Sequence, residues 1–133
     1  MKTKSDRKKL RDKIGAMHLK ILKFKRGNKS EFTGKTNVVL GRFHILPVSL
    51  YPRLEFNDEN VLICEWFGVH YDWHHNFYKA KEIEKRIIEL RGECYEKNLK
   101  KKNAVAPKLD MFRLRLLYIA YQQALKEIGD ELL

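Results

Sequence analysis

Four of the five histidines of the chain fall between Gly41 and Tyr78, in the order His44, then Asn60, then His70, His74 and His75. Each type in that order suits one chemical task. A neutral imidazole with a pKa near ~6.5 can take a proton from water close to neutral pH, which fits His44 at the end of an apolar run. An asparagine carboxamide can hold an imidazole or its loop by hydrogen bonds without adding charge, which fits Asn60. Imidazoles at i and i+4 sit on one face of a helix and can ligate one ion, which fits His70 and His74. His75 is turned away by one residue and is the alternative ligand if the helix register shifts. Together these groups would serve metal-assisted phosphodiester cleavage, with one residue activating water and an ion polarising the phosphate.

The elements that must position them follow from periodicity. Leu10, Ile14, Met17, Ile21 and Phe24 recur at helical steps between Ser5 and Arg26, with Lys and Arg between them, and predict a basic amphipathic helix over residues 1–27 with Ser5 as N-cap and Gly27 as stop. Gly15 costs about 1 kcal/mol relative to Ala and leaves room for two shorter helices. His18 falls among lysines and reads as a surface histidine or a phosphate contact. Residues 38–46 form a β-branched apolar run closed by Pro47, and Val61 to Cys64 a second one. Between them PVSLYPRLEFNDEN is a long turn-forming loop, so the two strands pair as an antiparallel hairpin. Val69, Trp73, Phe77, Ala80, Ile83, Ile87 and Leu90 predict a long helix from about Gly68 to Arg91. Residues 97–107 read as a basic linker, and residues 108–133 as a C-terminal helix that is apolar on more than one side and so packs deeply or meets another subunit. The expected class is α+β, in a single domain over residues 1–133 whose core spans 38–91.

Over residues 20 to 80 the chain resembles the HNH, or ββα-metal, endonucleases. The similarity is carried by the Gly34-Lys35-Thr36 knuckle, the strand ending His44-Ile45-Leu46-Pro47, the Asn57-Asp58-Glu59-Asn60-Val61 opening of the second strand with Cys64 behind it, and a helix that begins with His70. The loop and second strand are also similar to phage NinG-type recombination nucleases, and the H-x-x-x-H helix to colicin-type nuclease domains. The resemblance implies a ββα-metal hairpin-plus-helix core flanked by the basic and C-terminal helices. It further implies His44 as general base, Asn60 as the structural asparagine, and His70 with His74 as ligands of one divalent ion (Mg, Mn, Ni or Zn). Two departures stand out. Ser30 and Thr33 occupy positions where many members carry knuckle cysteines, so no structural zinc is expected, and Phe43 stands where a metal ligand often precedes the catalytic histidine.

Charge gives the partner. Net charge is +11, and residues 1–36 carry 13 Lys or Arg against 3 Asp or Glu, a net of +10. Lysines and arginines that neutralise phosphates release condensed counterions, so a polyanion is the simplest partner. Lys8, Lys9, Arg11, Lys20, Lys23, Lys25, Arg26 and Arg42 are the candidate nucleic-acid contacts, with the Lys97 to Lys102 tract beside them. DNA, double-stranded or branched, is the expected substrate, in phage recombination or branched-DNA processing. The alternative is a catalytically inactive nucleic-acid-binding or regulatory protein on a degenerate HNH scaffold. Cys64 and Cys94 form no C-x-x-C pair and read as buried small apolar groups. No secretory segment and no apolar stretch of about 18 residues is present, which points to a cytoplasmic protein without a membrane partner.

Overall fold

The computed structural model describes residues 5–66, 68, 72–73 and 77–132. It is a mixed helix-and-strand structure, mostly helical. Helix α1 (Asp6–Lys25) leads to strand β1 (Leu40–His44), which pairs antiparallel with β2 (Val61–Glu65). Helices α2 (Phe77–Arg91), α3 (Tyr95–Val105) and α4 (Met111–Leu132) follow. Ser5 caps α1, its hydroxyl accepting from the Lys8 amide at 3.2 Å, and the helix runs unbroken through Gly15.

The hairpin register sets everything near the candidate site. Leu40 pairs with Glu65 and His44 with Val61, so alternate residues of β1 face opposite ways. Leu40, Val61 and Ile63 pack on Leu22 of α1. On the opposite face Phe43, Leu62 and Cys64 join Ile83 and Ile87 of α2 and Leu99 of α3. The hairpin is thus covered on both sides, which is why β2 reads as a continuous apolar run rather than an alternating one. A third cluster, Ile14, Phe56 and Leu114, fastens α1 to α4 through the inter-strand loop.

Several expectations change. His18 is 1% exposed, not a surface residue. It follows Ile14 by four positions and precedes Ile21 by three, so it lies on the packed stripe of α1 despite its lysine neighbours. Leu22 is buried on that helix, whereas Phe24, assigned to the stripe, is 44% exposed. Residues 97–107 are not a linker. Tyr95–Val105 is a helix, anchored by buried Leu99 and carrying a Glu96–Lys100 pair at 2.9 Å; lysine is a good helix former, and one apolar anchor suffices where loop and helix both supply partners. The first strand is shorter than residues 38–46, and Cys94 is exposed while Cys64 is buried. Where the long helix is expected to begin, Gly68 has φ +105°, outside any right-handed helix, the Asp72 amide donates to its carbonyl at 2.8 Å, and the helix α2 among the described residues is Phe77–Arg91. His70, His74 and His75 lie outside the described residues.

One face of α4 packs on α1 through Leu114, with Leu117, Tyr118 and Tyr121 beside it. The opposite face presents Phe112, Leu116 and Ile119, each at least 48% exposed. The two-sided apolar character of the C-terminal helix is accounted for by these two faces.

Candidate functional site

The loop joining the strands is held from within by Asn60. Asn57 caps a short 3-10 turn, its Oδ1 accepting from the amides of Glu59 and Asn60, and this turn delivers Asn60 to the start of β2 fully buried. The Asn60 Oδ1 accepts from the Leu46 amide at 2.8 Å. Its Nδ2 donates to the Leu46 carbonyl at 3.1 Å and to the Leu54 carbonyl at 3.4 Å. One carboxamide therefore closes both ends of the segment from Leu46 to Leu54, as an uncharged group with donors and an acceptor can.

That closure places the Glu55 carbonyl beside His44. The His44 Nε2 lies 2.9 Å from it. A carbonyl only accepts, so Nε2 carries the hydrogen, and the neutral ring keeps its lone pair on Nδ1. Burial lowers the His44 pKa from its ordinary value, against the smaller opposing effect of the Glu55 bond, which favours the neutral base. His44 also lines a cleft of about 550 Å³ between α1, β1 and the loop.

Behind His44 stands a polar network that the sequence did not reveal. The Arg42 Nη1 donates to the same Glu55 carbonyl at 3.1 Å and to the His18 Nδ1 at 3.2 Å. A guanidinium only donates, so His18 Nδ1 is the acceptor and its Nε2–H donates to Asp58 Oδ1 at 2.8 Å. The His18 ring stacks on Tyr121 of α4 at 5.4 Å, and the Arg42 guanidinium lies 5.2 Å from the Phe56 ring centre. Burial is the largest influence on His18 and lowers its pKa, outweighing the Asp58 bond. Asp58, in turn, is held below its ordinary value first by its hydrogen bond from His18. Arg42 reaches His18 by passing over Gly15, where a Cβ would sit 2.5 Å from its Nη2. Gly15 was legible only as a helix weakness; the structure gives it a packing reason.

Several cations proposed as nucleic-acid contacts are engaged inside the fold. Arg11 binds the buried Glu55 carboxylate with Nε and Nη2 at 2.7 to 3.0 Å. Arg26 pairs with Glu31 at 3.1 Å and donates to the Val61 and Asp58 carbonyls. Arg42 is tied as above, and Lys8 pairs with Asp12 at 2.7 Å on the helix surface. Lys9, Lys20 and Lys25 are exposed and Lys23 half-buried.

Phe43 is 2% exposed on the opposite face of β1 from His44, its ring edge-on to Phe32 at 5.7 Å and to Trp73 at 5.8 Å. Hydrocarbon thus fills the position where a ligand would precede the histidine. Among the described residues no group of three His, Cys, Asp or Glu side chains converges to hold an ion. The expected donors His70 and His74 are outside that set. Trp73, which lies between them in sequence, lines the same cleft as His44.

No protein-family model matches the chain, and no curated protein or solved structure matches it.

Proposed function

We propose that the chain is an HNH-type endonuclease of ββα-metal architecture that hydrolyses phosphodiester bonds in DNA. The observation that carries it is the His44–Glu55–Asn60 arrangement. A hairpin histidine is fixed by a backbone carbonyl at Nε2, which leaves its lone pair on Nδ1, and the loop supplying that carbonyl is fixed by a buried asparagine. In the reaction His44 Nδ1 takes a proton from water as the water attacks phosphorus, and Nε2–H stays on the Glu55 carbonyl, which stabilises the imidazolium as it forms. Asn60 touches no substrate; it holds the loop. A divalent ion on His70 and His74 would supply charge stabilisation of the phosphate and of the leaving oxygen. Exposed Lys9, Lys20 and Lys25 of α1 offer cations to backbone phosphates.

Cleavage of supercoiled plasmid and of a single-stranded oligonucleotide with Mg²⁺, Mn²⁺, Ni²⁺ or Zn²⁺ tests this. Wild-type protein is expected to cleave with at least one of these ions, and His44→Ala to lose about 10²-fold or more, the scale of general-base catalysis. Wild-type protein inert with all four, or His44→Ala as active as wild type, refutes it. Phe43 in the apolar core and the internal pairing of Arg11, Arg26 and Arg42 favour a second reading, a non-cleaving nucleic-acid-binding protein on the same scaffold. Stoichiometric divalent-ion binding that disappears in the His70→Ala/His74→Ala double variant favours the enzyme, and its absence favours the binder.

A further inference from the structure

The cleft beside His44 is walled by Ala16 and Leu19 of α1, Pro47 and Val48 of the loop, and Trp66 and Trp73. Its volume of about 550 Å³ falls within the range of small-ligand clefts, ~300–1,000 Å³. The cations at its edge are already bonded, Lys8 to Asp12, Arg11 to Glu55, and Arg42 to His18 and the Glu55 carbonyl. With those cations engaged, the apolar wall rather than a cationic grip is what the cleft offers a ligand, and a flat ring suits it. Trp66 is placed for such a ring. Its amide donates to the Val39 carbonyl at 3.2 Å, continuing the hairpin ladder, and its indole rests against Gly41, where a Cβ would come within 2.8 Å of the ring. Yet the residue remains 47% exposed, in a position that backbone hydrogen bonding and a glycine hold at the cleft wall.

We infer that this cleft seats an unpaired nucleobase against Trp66, next to the phosphodiester presented to His44, so that the substrate class is single-stranded or branched DNA rather than intact duplex. A base inside a duplex is stacked on both faces and must be unstacked before it can enter a cleft, which costs a few kcal/mol less where it is already unpaired. Base–aromatic stacking gains about 1–3 kcal/mol per base and tolerates any base, since each has a π-face. The inference rests on the nucleic-acid reading above and not on cleavage.

The chain has two tryptophans, Trp66 and Trp73, and both line the cleft, so intrinsic fluorescence reports directly on its occupancy. The test uses the full-length protein in chelator, titrated with a short oligodeoxythymidylate and with a blunt duplex of equal length at the same salt. The single strand is expected to quench tryptophan emission and to bind more tightly than the duplex. Trp66→Ala is expected to weaken single-strand binding about 5- to 150-fold, the stacking range expressed as an affinity ratio. Trp66→Phe should restore most of that loss, and an unchanged thermal midpoint excludes unfolding as its cause. No single-strand binding, binding without quenching, or Trp66→Ala binding as tightly as wild type overturns the base seat. Quenching by single strand with no metal-dependent cleavage of either plasmid or single-stranded oligonucleotide leaves the seat standing and sinks the nuclease. Cleavage without quenching does the reverse.

Discussion

Replacing Asn60 by alanine isolates the part of the site that its geometry defines most sharply. The side chain is fully buried and holds the Leu46 amide and carbonyl at 2.8 and 3.1 Å, with a longer contact to the Leu54 carbonyl. Alanine removes all three and leaves Leu46, itself 7% exposed, with two stranded backbone groups. Each stranded group costs about 1–3 kcal/mol. The Ile45 amide keeps its bond to the Asn60 backbone carbonyl, and the loop can relax, so the lower part of the summed range applies, about 2–4 kcal/mol. That is a large share of a stability of about 5–15 kcal/mol. For a chain of this size it corresponds to a fall in thermal midpoint of roughly 6–20 °C. Urea unfolding followed by far-UV circular dichroism measures it, with Asn60→Asp as companion. The aspartate keeps an acceptor for the Leu46 amide but sets a carboxylate against two carbonyls, so it should lose at least as much. A loss below about 0.5 kcal/mol for Asn60→Ala would refute the assignment of Asn60 as the clamp of this loop. A second readout separates clamp from site. Nitrogen-15 spectra of His44 should show Nε2 protonated in wild type, and that proton should become labile in Asn60→Ala.

Two further outcomes follow from the polar network. Gly15→Ala in an ordinary helix interior gains about 1 kcal/mol. Here the new Cβ meets Arg42 Nη2 at 2.5 Å and displaces the guanidinium, whose Nη1 bonds His18 and the Glu55 carbonyl, so the variant should be no more stable than wild type; a gain of about 1 kcal/mol in urea unfolding would show that Arg42 yields freely. Stability should also fall on mild acidification. Burial, chiefly, lowers the folded pKa of both His18 and His44 below the ordinary 6.5, so the unfolded chain takes up protons first. Stability is then full above about pH 6.5 and is lost as pH drops toward the folded values, with a slope of up to ~1.4 kcal/mol per pH unit for each histidine. Asp58 adds a contribution of the carboxylate kind, present above its ordinary 3.8 and lost at lower pH as it protonates. Urea midpoints at pH 7.5 and 5.5 check this, and a flat or inverted profile contradicts it. His18→Gln should flatten part of the slope.

What could be seen in the sequence was whatever repeats with a local period or sits at a turn. Ser5 and the Asn57–Asn60 turn announced the starts of α1 and β2, because capping and turn chemistry act within four residues, whereas Pro47 set the end of β1 two residues beyond His44, where the strand stops. Asn60 and His44 were legible for the same reason, standing where a strand begins and where one ends. The tract from Lys97 to Lys102 reads as a linker because its basic residues seek solvent, whereas a lysine run is compatible with a helix as soon as one Leu99 finds a core. His18, Arg42 and Asp58 come together from three segments by tertiary packing alone, and no local pattern encodes that.

The network also changes what the net charge means. Counting Lys and Arg in the first 36 residues treats each as a candidate for phosphate, but Arg11 and Arg26 spend their donors on Glu55, Glu31 and backbone carbonyls. Arg42, farther along, does the same on the Glu55 carbonyl and His18. Arginine suits this use because its fixed fork of donors can satisfy several buried acceptors at once, which the single ammonium of lysine cannot. The exposed lysines Lys9, Lys20 and Lys25 are left as the long-range, salt-sensitive part of the field, and the arginines as the frame that keeps His44 and its carbonyl in register. A charge-reversing lysine variant should therefore change affinity and its salt dependence, while loss of Arg42 should be felt first at His44.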